Sequence, residues 1–135
     1  MLILKNIIIV ILAILIGSAV NMSIIELDHL LFEIPKNLDL NKMEDLDKFV
    51  QSLPFYRLLF PFFAHALGSL IAAYLVTKFS VSHSFYVSLC IGALFMAGGI
   101  YMVLILNAPL YFELMDLSLA YFPAAWVGHK LGSDS

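Results

Sequence analysis

Four long apolar stretches alternate with polar breaks along the chain. The first covers residues 7 to 25 and opens Ile-Ile-Ile-Val-Ile-Leu-Ala-Ile-Leu-Ile; the others cover 55 to 76, 85 to 106 and 110 to 127. About 20 consecutive apolar residues carry an α-helix across a bilayer, so each stretch has roughly spanning length. Asn107-Ala108-Pro109 is a very tight connection, as expected between antiparallel neighbours. Residues 26 to 53 form the one sizeable loop. Within it, Asn41 followed three positions later by Glu44 reads as a helix start. Met43, Leu46, Phe49, Val50 and Leu53 then recur at helical spacing. That pattern predicts a short amphipathic helix, either lying on the membrane surface or folded as a lid over the bundle end. Pro54 stops it, and Pro61 is placed to kink the second span. The expectation is an all-α, polytopic membrane protein. Residues 1–135 form a single membrane domain, a four-transmembrane-helix antiparallel bundle with a short amphipathic helix in its first loop.

Composition agrees with the pattern. The chain is 62% hydrophobic and 13% charged, with a mean hydropathy of +0.98, whereas a soluble domain is about a quarter charged. Seven Lys plus Arg are scattered with no basic patch, which excludes nucleic acid as a partner. The net charge of −3 is too small to specify a charged partner. Cys90 is the single cysteine and has no internal disulfide partner. A secretory signal is the rival reading of the first stretch, since Lys5 precedes it and Gly17-Ser18-Ala19 resembles a cleavage site. Signal cores run about 7–15 residues, shorter than this stretch, so it is read as a span. Asn21-Met22-Ser23 matches the glycosylation pattern by chance, inside a span.

Four spans put both termini on one side. Lys36, Lys42, Lys48 and Arg57 on the loop side outnumber Lys5, Lys78 and Lys130 on the other, and the bare count favours the loop inside. The loop lysines are diluted among acids, however, and Lys5 precedes a strong apolar run in the usual inside-first order. The chain is therefore read as multi-pass in a bacterial inner membrane, with both termini cytoplasmic.

Candidate chemistry lies where apolar spans carry polar residues. The last stretch carries Glu113 and Asp116 near its start, one helical turn apart and so on one face. Carboxylates near lipid are paired, hidden or used. In an antiparallel bundle, residues late in the first and third spans meet residues early in the second and fourth. This brings Asn21, Glu26, Asp28, His29 and Asn107 towards Arg57, His65, Glu113 and Asp116, all in the half facing the loop. The other half is left with end residues such as Lys5, Lys78, His83, His129 and Lys130. Helical stripes run polar-to-small along each face: Ala13, Gly17 and Asn21, continued by Asp28; His65, Gly68, Ser69 and Ala72; Glu113, Asp116, Ala120 and Ala124. Small residues let membrane helices approach closely and polar ones bond between them. A tight bundle with a pocket open to one surface is expected.

Glu113, Asp116 and His65 are the catalytic candidates, as acid–base groups or proton relay. Arg57, Asn21, Glu26, His29 and Asn107 are the binding candidates. Arg57 is expected to pair with Glu113 or Asp116, and Asn21 to join helices. His65, Glu113 and Asp116 are weak metal candidates, because no short-range ligand signature such as His-Glu-x-x-His is present. A bis-histidine haem is weaker still, since three of the four histidines lie at or beyond span ends. No cofactor is assigned. No Gly-rich phosphate loop, Ser/His/Asp arrangement or reactive-cysteine context can be argued, so the reading leans away from an enzyme.

At His65-Ala-Leu-Gly-Ser-Leu-Ile-Ala-Ala73, and from Asn107-Ala-Pro-Leu-Tyr-Phe through Asp116 to Tyr121-Phe-Pro-Ala-Ala-Trp-Val-Gly128, the chain resembles small four-span bacterial membrane proteins of unassigned function. The resemblance extends over nearly the whole chain and implies only the four-span fold. Three functions are then expected, in order. The first is a non-enzymatic bundle that self-associates as a homo-oligomer or joins a larger membrane complex, with membrane lipids as its surroundings. The second is an intramembrane site binding or modifying a lipid or amphiphile. The third is proton- or cation-coupled transport by an oligomer.

Overall fold

The computed structural model describes residues 1–79 and 82–135, and these are all-α with no strand. Six helices follow in order: α1 Leu2–Leu31, α2 Met43–Ser52, α3 Phe55–Phe79, α4 Ser84–Ile105, α5 Leu110–Leu119 and α6 Phe122–Ser133. Among the described residues, α1, α3 and α4 are each long and apolar enough to cross a membrane. The helix α1 continues past the expected residue 25, through Glu26-Leu27-Asp28-His29 to Leu31, and so takes Asp28 and His29 into its last turns. It ends at Phe32, whose extended backbone donates its N–H to the Asp28 carbonyl at 2.9 Å.

The burial of α1 is the reverse of a water-soluble helix. Ala13, Gly17 and Asp28 are its buried residues, while Ile3, Ile7, Ile11 and Leu15 are exposed. Small and polar side chains face the protein and large aliphatic ones face outward, the arrangement expected where the surroundings are as apolar as the core.

The chain is organised around α3, which packs against α1, α4, α5 and α6. Its buried stripe, Ala64, Gly68, Ser69, Ala72, Ala73 and Val76, is almost entirely small, so the neighbours come close. At the α1–α3 crossing, a Cβ on Gly17 would lie 2.6 Å from the Gly68 carbonyl oxygen, and one on Gly68 would lie 2.8 Å from that of Gly17. No side chain fits between these backbones. Beyond the crossing, Ala13, Ala72, Val76 and Ile91 form a shared core of α1, α3 and α4.

Two local expectations are corrected. Residues 110 to 127 are not one helix: α5 and α6 are separated at Ala120 and Tyr121. Pro123 explains the break, because its ring has no N–H for the Leu119 carbonyl and clashes with that turn. The α2 helix begins at Met43 with Lys42 before it, and no side chain caps it. Asp45 reaches back to the Asp39 N–H instead, at 3.0 Å, and the Asp39 carboxylate accepts the Asn41 N–H at 3.1 Å.

Candidate functional site

The charged groups are built into the end of the molecule that carries α2. Asp28, late on α1, meets Arg57, early on α3. Arg57 Nε donates to Asp28 Oδ1 at 3.0 Å and Nη2 to Oδ2 at 2.7 Å, a two-pronged ion pair whose side chains are only 10% and 7% exposed. Such fork geometry is the strongest form of carboxylate recognition available to arginine. The guanidinium carbon also lies 4.9 Å from the centre of the Phe32 ring and 5.2 Å from that of Phe49, contacts that favour the cation. Arg57 therefore pairs with Asp28, not with Glu113 or Asp116 as expected. The longer α1 is the reason, since it carries Asp28 into reach.

Asp116 has a different partner set. His65 Nδ1 lies 2.8 and 2.9 Å from its two oxygens, and the Tyr121 hydroxyl donates to Oδ2 at 3.1 Å. The Tyr121 ring stacks on His65, with centres 5.6 Å apart and planes 23° from parallel. Tyr121 lies in the break between α5 and α6, and its hydroxyl occupies the space that a side chain at residue 99 would fill. Glycine at that position of α4 is what admits it. A neutral imidazole that donates to a carboxylate carries its proton on the facing nitrogen, here Nδ1, and Nε2 is then an acceptor.

Both pairs line one cavity of about 360 Å³, within the size range of small-molecule sites. Its polar wall comprises Asp28, His29, Arg57, His65, Glu113 and Asp116; the remainder is largely aliphatic and aromatic. The apolar face of α2 covers one side through Leu46, Phe49 and Val50. Of the two roles expected for that helix, the structure has it as a lid. Side chains hold it. Asp47 accepts the Asn107 backbone N–H at 2.6 Å and its side-chain amide at 3.0 Å, while Phe49 meets both Arg57 and the edge of His29. The two Asn107 donors keep the Asp47 carboxyl below its usual range, and Glu44 beside Lys48 raises that ammonium.

Of the expected site residues, His29, Arg57, His65, Glu113 and Asp116 converge on the cavity. Glu113 is half-buried there. Asn107 is exposed and tethers α2, and Glu26 is exposed. Asn21 does not join helices through its oxygen, which is buried with no hydrogen-bond partner, as is Ser69 Oγ. Among the described residues no three His, Cys, Asp or Glu side chains are grouped to hold a metal, so His65, Glu113 and Asp116 do not form such a set. Asp47 and Tyr121 were missed by sequence reasoning. The break at Pro123 was the available signal for Tyr121; nothing local marks Asp47.

The opposite end also holds a polar network, where only end residues were expected. Thr77 Oγ1 lies 3.1 Å from Ser88 Oγ and 2.9 Å from His129 Nδ1, and Ser88 donates to the Ala73 carbonyl at 3.3 Å. Compared with known proteins, the chain matches no family model, no curated protein and no solved structure.

Proposed function

We propose that this is a four-span membrane protein that binds an amphiphile in the cavity beneath α2. The carrying observation is that an apolar cavity of about 360 Å³ has a buried ion pair, Asp28–Arg57, and a hydrogen-bonded His65–Asp116 pair on its wall and an amphipathic helix over it. A purely structural charge network needs no cavity beside it, because close packing is the default of protein interiors. The tail lies against the aliphatic wall, and His65 Nε2, oriented by Asp116, meets the headgroup. In this reading α5 and α6 in tandem make the fourth crossing, since 10 and 12 residues are each too short alone. Both termini then face the cytoplasm of a bacterial inner membrane. Reporter fusions at the two termini should give the same cytoplasmic signal, and opposite signals would end the four-span reading. Native mass spectrometry of protein released gently from membranes tests the cavity. The wild type should carry an amphiphile that Val103→Trp, which fills the cavity, loses. A wild type that neither carries nor takes up lipid overturns the proposal.

Self-association is a second reading, favoured by the outward face of α4, where Cys90, Ala93, Ala97 and Gly98 are all exposed. Small exposed residues are what membrane helices use to approach one another. Oxidation in intact membranes should crosslink Cys90 between copies, and Gly98→Leu should abolish the crosslink. A chain that stays uncrosslinked and monomeric at all protein-to-lipid ratios would remove this reading.

A further inference from the structure

Resting on the amphiphile reading above, we infer that the headgroup bound in the cavity is cationic, of the alkylammonium class, and that Glu113 receives it. The wall carries three carboxylates, Asp28, Glu113 and Asp116, against one arginine, Arg57, and two histidines, His29 and His65. Their commitments differ. Arg57 spends two donors on Asp28 and lies against the Phe32 and Phe49 rings, so an anionic headgroup would have to displace Asp28 to reach it. Asp116 is taken by His65 and Tyr121. Glu113 is half-buried at the cavity and has no hydrogen-bond or ion-pair partner among the described residues. An acid in an apolar cavity is stabilised by an incoming cation and penalised further by an incoming anion.

The polar acceptors that remain are of one kind. His65 Nε2 has no partner among the described residues and is not sealed off from the cavity. It and Glu113 are two acceptors lining the same cavity, which suits a headgroup rich in N–H donors. The aromatic wall, Phe49, Phe60 and Phe112, adds ring faces and edges suited to a cation and its alkyl chain.

The test uses the whole protein in nanodiscs and three probes of equal tail length: decylamine, decanol and decanoate. Binding is read by native mass spectrometry and by the shift in melting temperature. Decylamine, an ammonium at pH 7 like lysine, should bind tightest, decanol next and decanoate weakest. That ranking in the wild type decides the charge assignment without any variant. Glu113→Gln should then weaken decylamine by about tenfold or more and leave decanol unchanged, which also reports that the variant is folded. If decanol and decanoate bind as tightly as decylamine, the cationic assignment falls while the cavity reading stands. If none of the three binds, the cavity reading falls and this inference with it.

Discussion

The two ends of this molecule satisfy polar groups in an apolar setting by opposite means. At the end away from α2, three side chains share bonds with no carboxylate among them: Thr77 reaches Ser88 and His129, and Ser88 reaches a backbone carbonyl. These bonds accompany close contacts of α3 with α6, where a Cβ on Gly132 would lie 2.8 Å from both the Tyr74 carbonyl oxygen and Thr77 Cβ. At the α2 end carboxylates take part, in the Asp28–Arg57 ion pair and the His65–Asp116 hydrogen bonds, and the helices stand apart around a cavity. Neutral hydrogen bonds suffice to join helices. A buried ion pair such as Asp28–Arg57 contributes little to stability and carries a strong penalty when broken.

That contrast can be broken in several places. The largest effect should follow Asp28→Ala, which leaves Arg57 buried without its carboxylate and should cost about 3–5 kcal/mol. Unfolding in mixed micelles measures it. The double change Asp28→Leu with Arg57→Met should be far milder, and equal losses for the single and the double would show that the charge was not the issue.

Next, Gly132→Ala should force the end of α6 off α3 at a cost of about 1–3 kcal/mol, as overpacking does. It should leave binding in the cavity intact, because the contact lies at the other end. Loss of ligand with unchanged stability would break the separation of the two ends.

Thr77→Val removes two hydrogen bonds from the network of Thr77, Ser88 and His129. Interhelical bonds of this kind are worth about 0.6 kcal/mol on average, so a small loss is expected from the same unfolding experiment. A loss as large as that of Asp28→Ala would erase the distinction drawn here.

The smallest effect concerns the lid. Asp47 has its pKa lowered by Asn107, so its contribution is complete above the ordinary carboxylate value of about 3.9. It is lost only as pH falls through the depressed folded value. Hydrogen exchange in α2 should therefore be insensitive to this group from neutral pH to about 5 and speed up in stronger acid. Asp47→Asn should exchange faster than the wild type from neutral pH to about 5, match it in strong acid and lose that step. An acid step that survives the substitution would assign it to another group.

The helices themselves were readable from the chain. Runs of Ile, Leu and Val of spanning length, a helical repeat of apolar residues in the loop, and Pro54 are local signals that act whatever lies nearby. The break ahead of Pro123 and the last turns of α1 were not read, and Pro61 lies inside a continuous α3. The gathering of His65, Asp116, Glu113 and Arg57 at the loop-facing end was readable too, because alternating direction and helical rise set the depth of each residue. The pairing was not. Several acids share that depth with Arg57, and choosing between Asp28 and Glu113 depends on how far α1 runs and how it is rotated against α3. The rotation is fixed where Gly17 meets Gly68, a contact between residues 51 apart that no local pattern contains.

The sequence by itself determined that the chain is helical, that several of its stretches are long and apolar enough to cross a membrane, and that the polar residues of those stretches gather at one end. Only the tertiary structure decided that Asp28 claims Arg57, that the break at Ala120 and Tyr121 delivers a hydroxyl to Asp116, and that α2 covers a cavity instead of lying beside it. The physical reason is range. Helix formation and burial preference are properties of neighbouring residues, whereas ion pairs and voids depend on the ångström-scale fit of segments far apart in the chain.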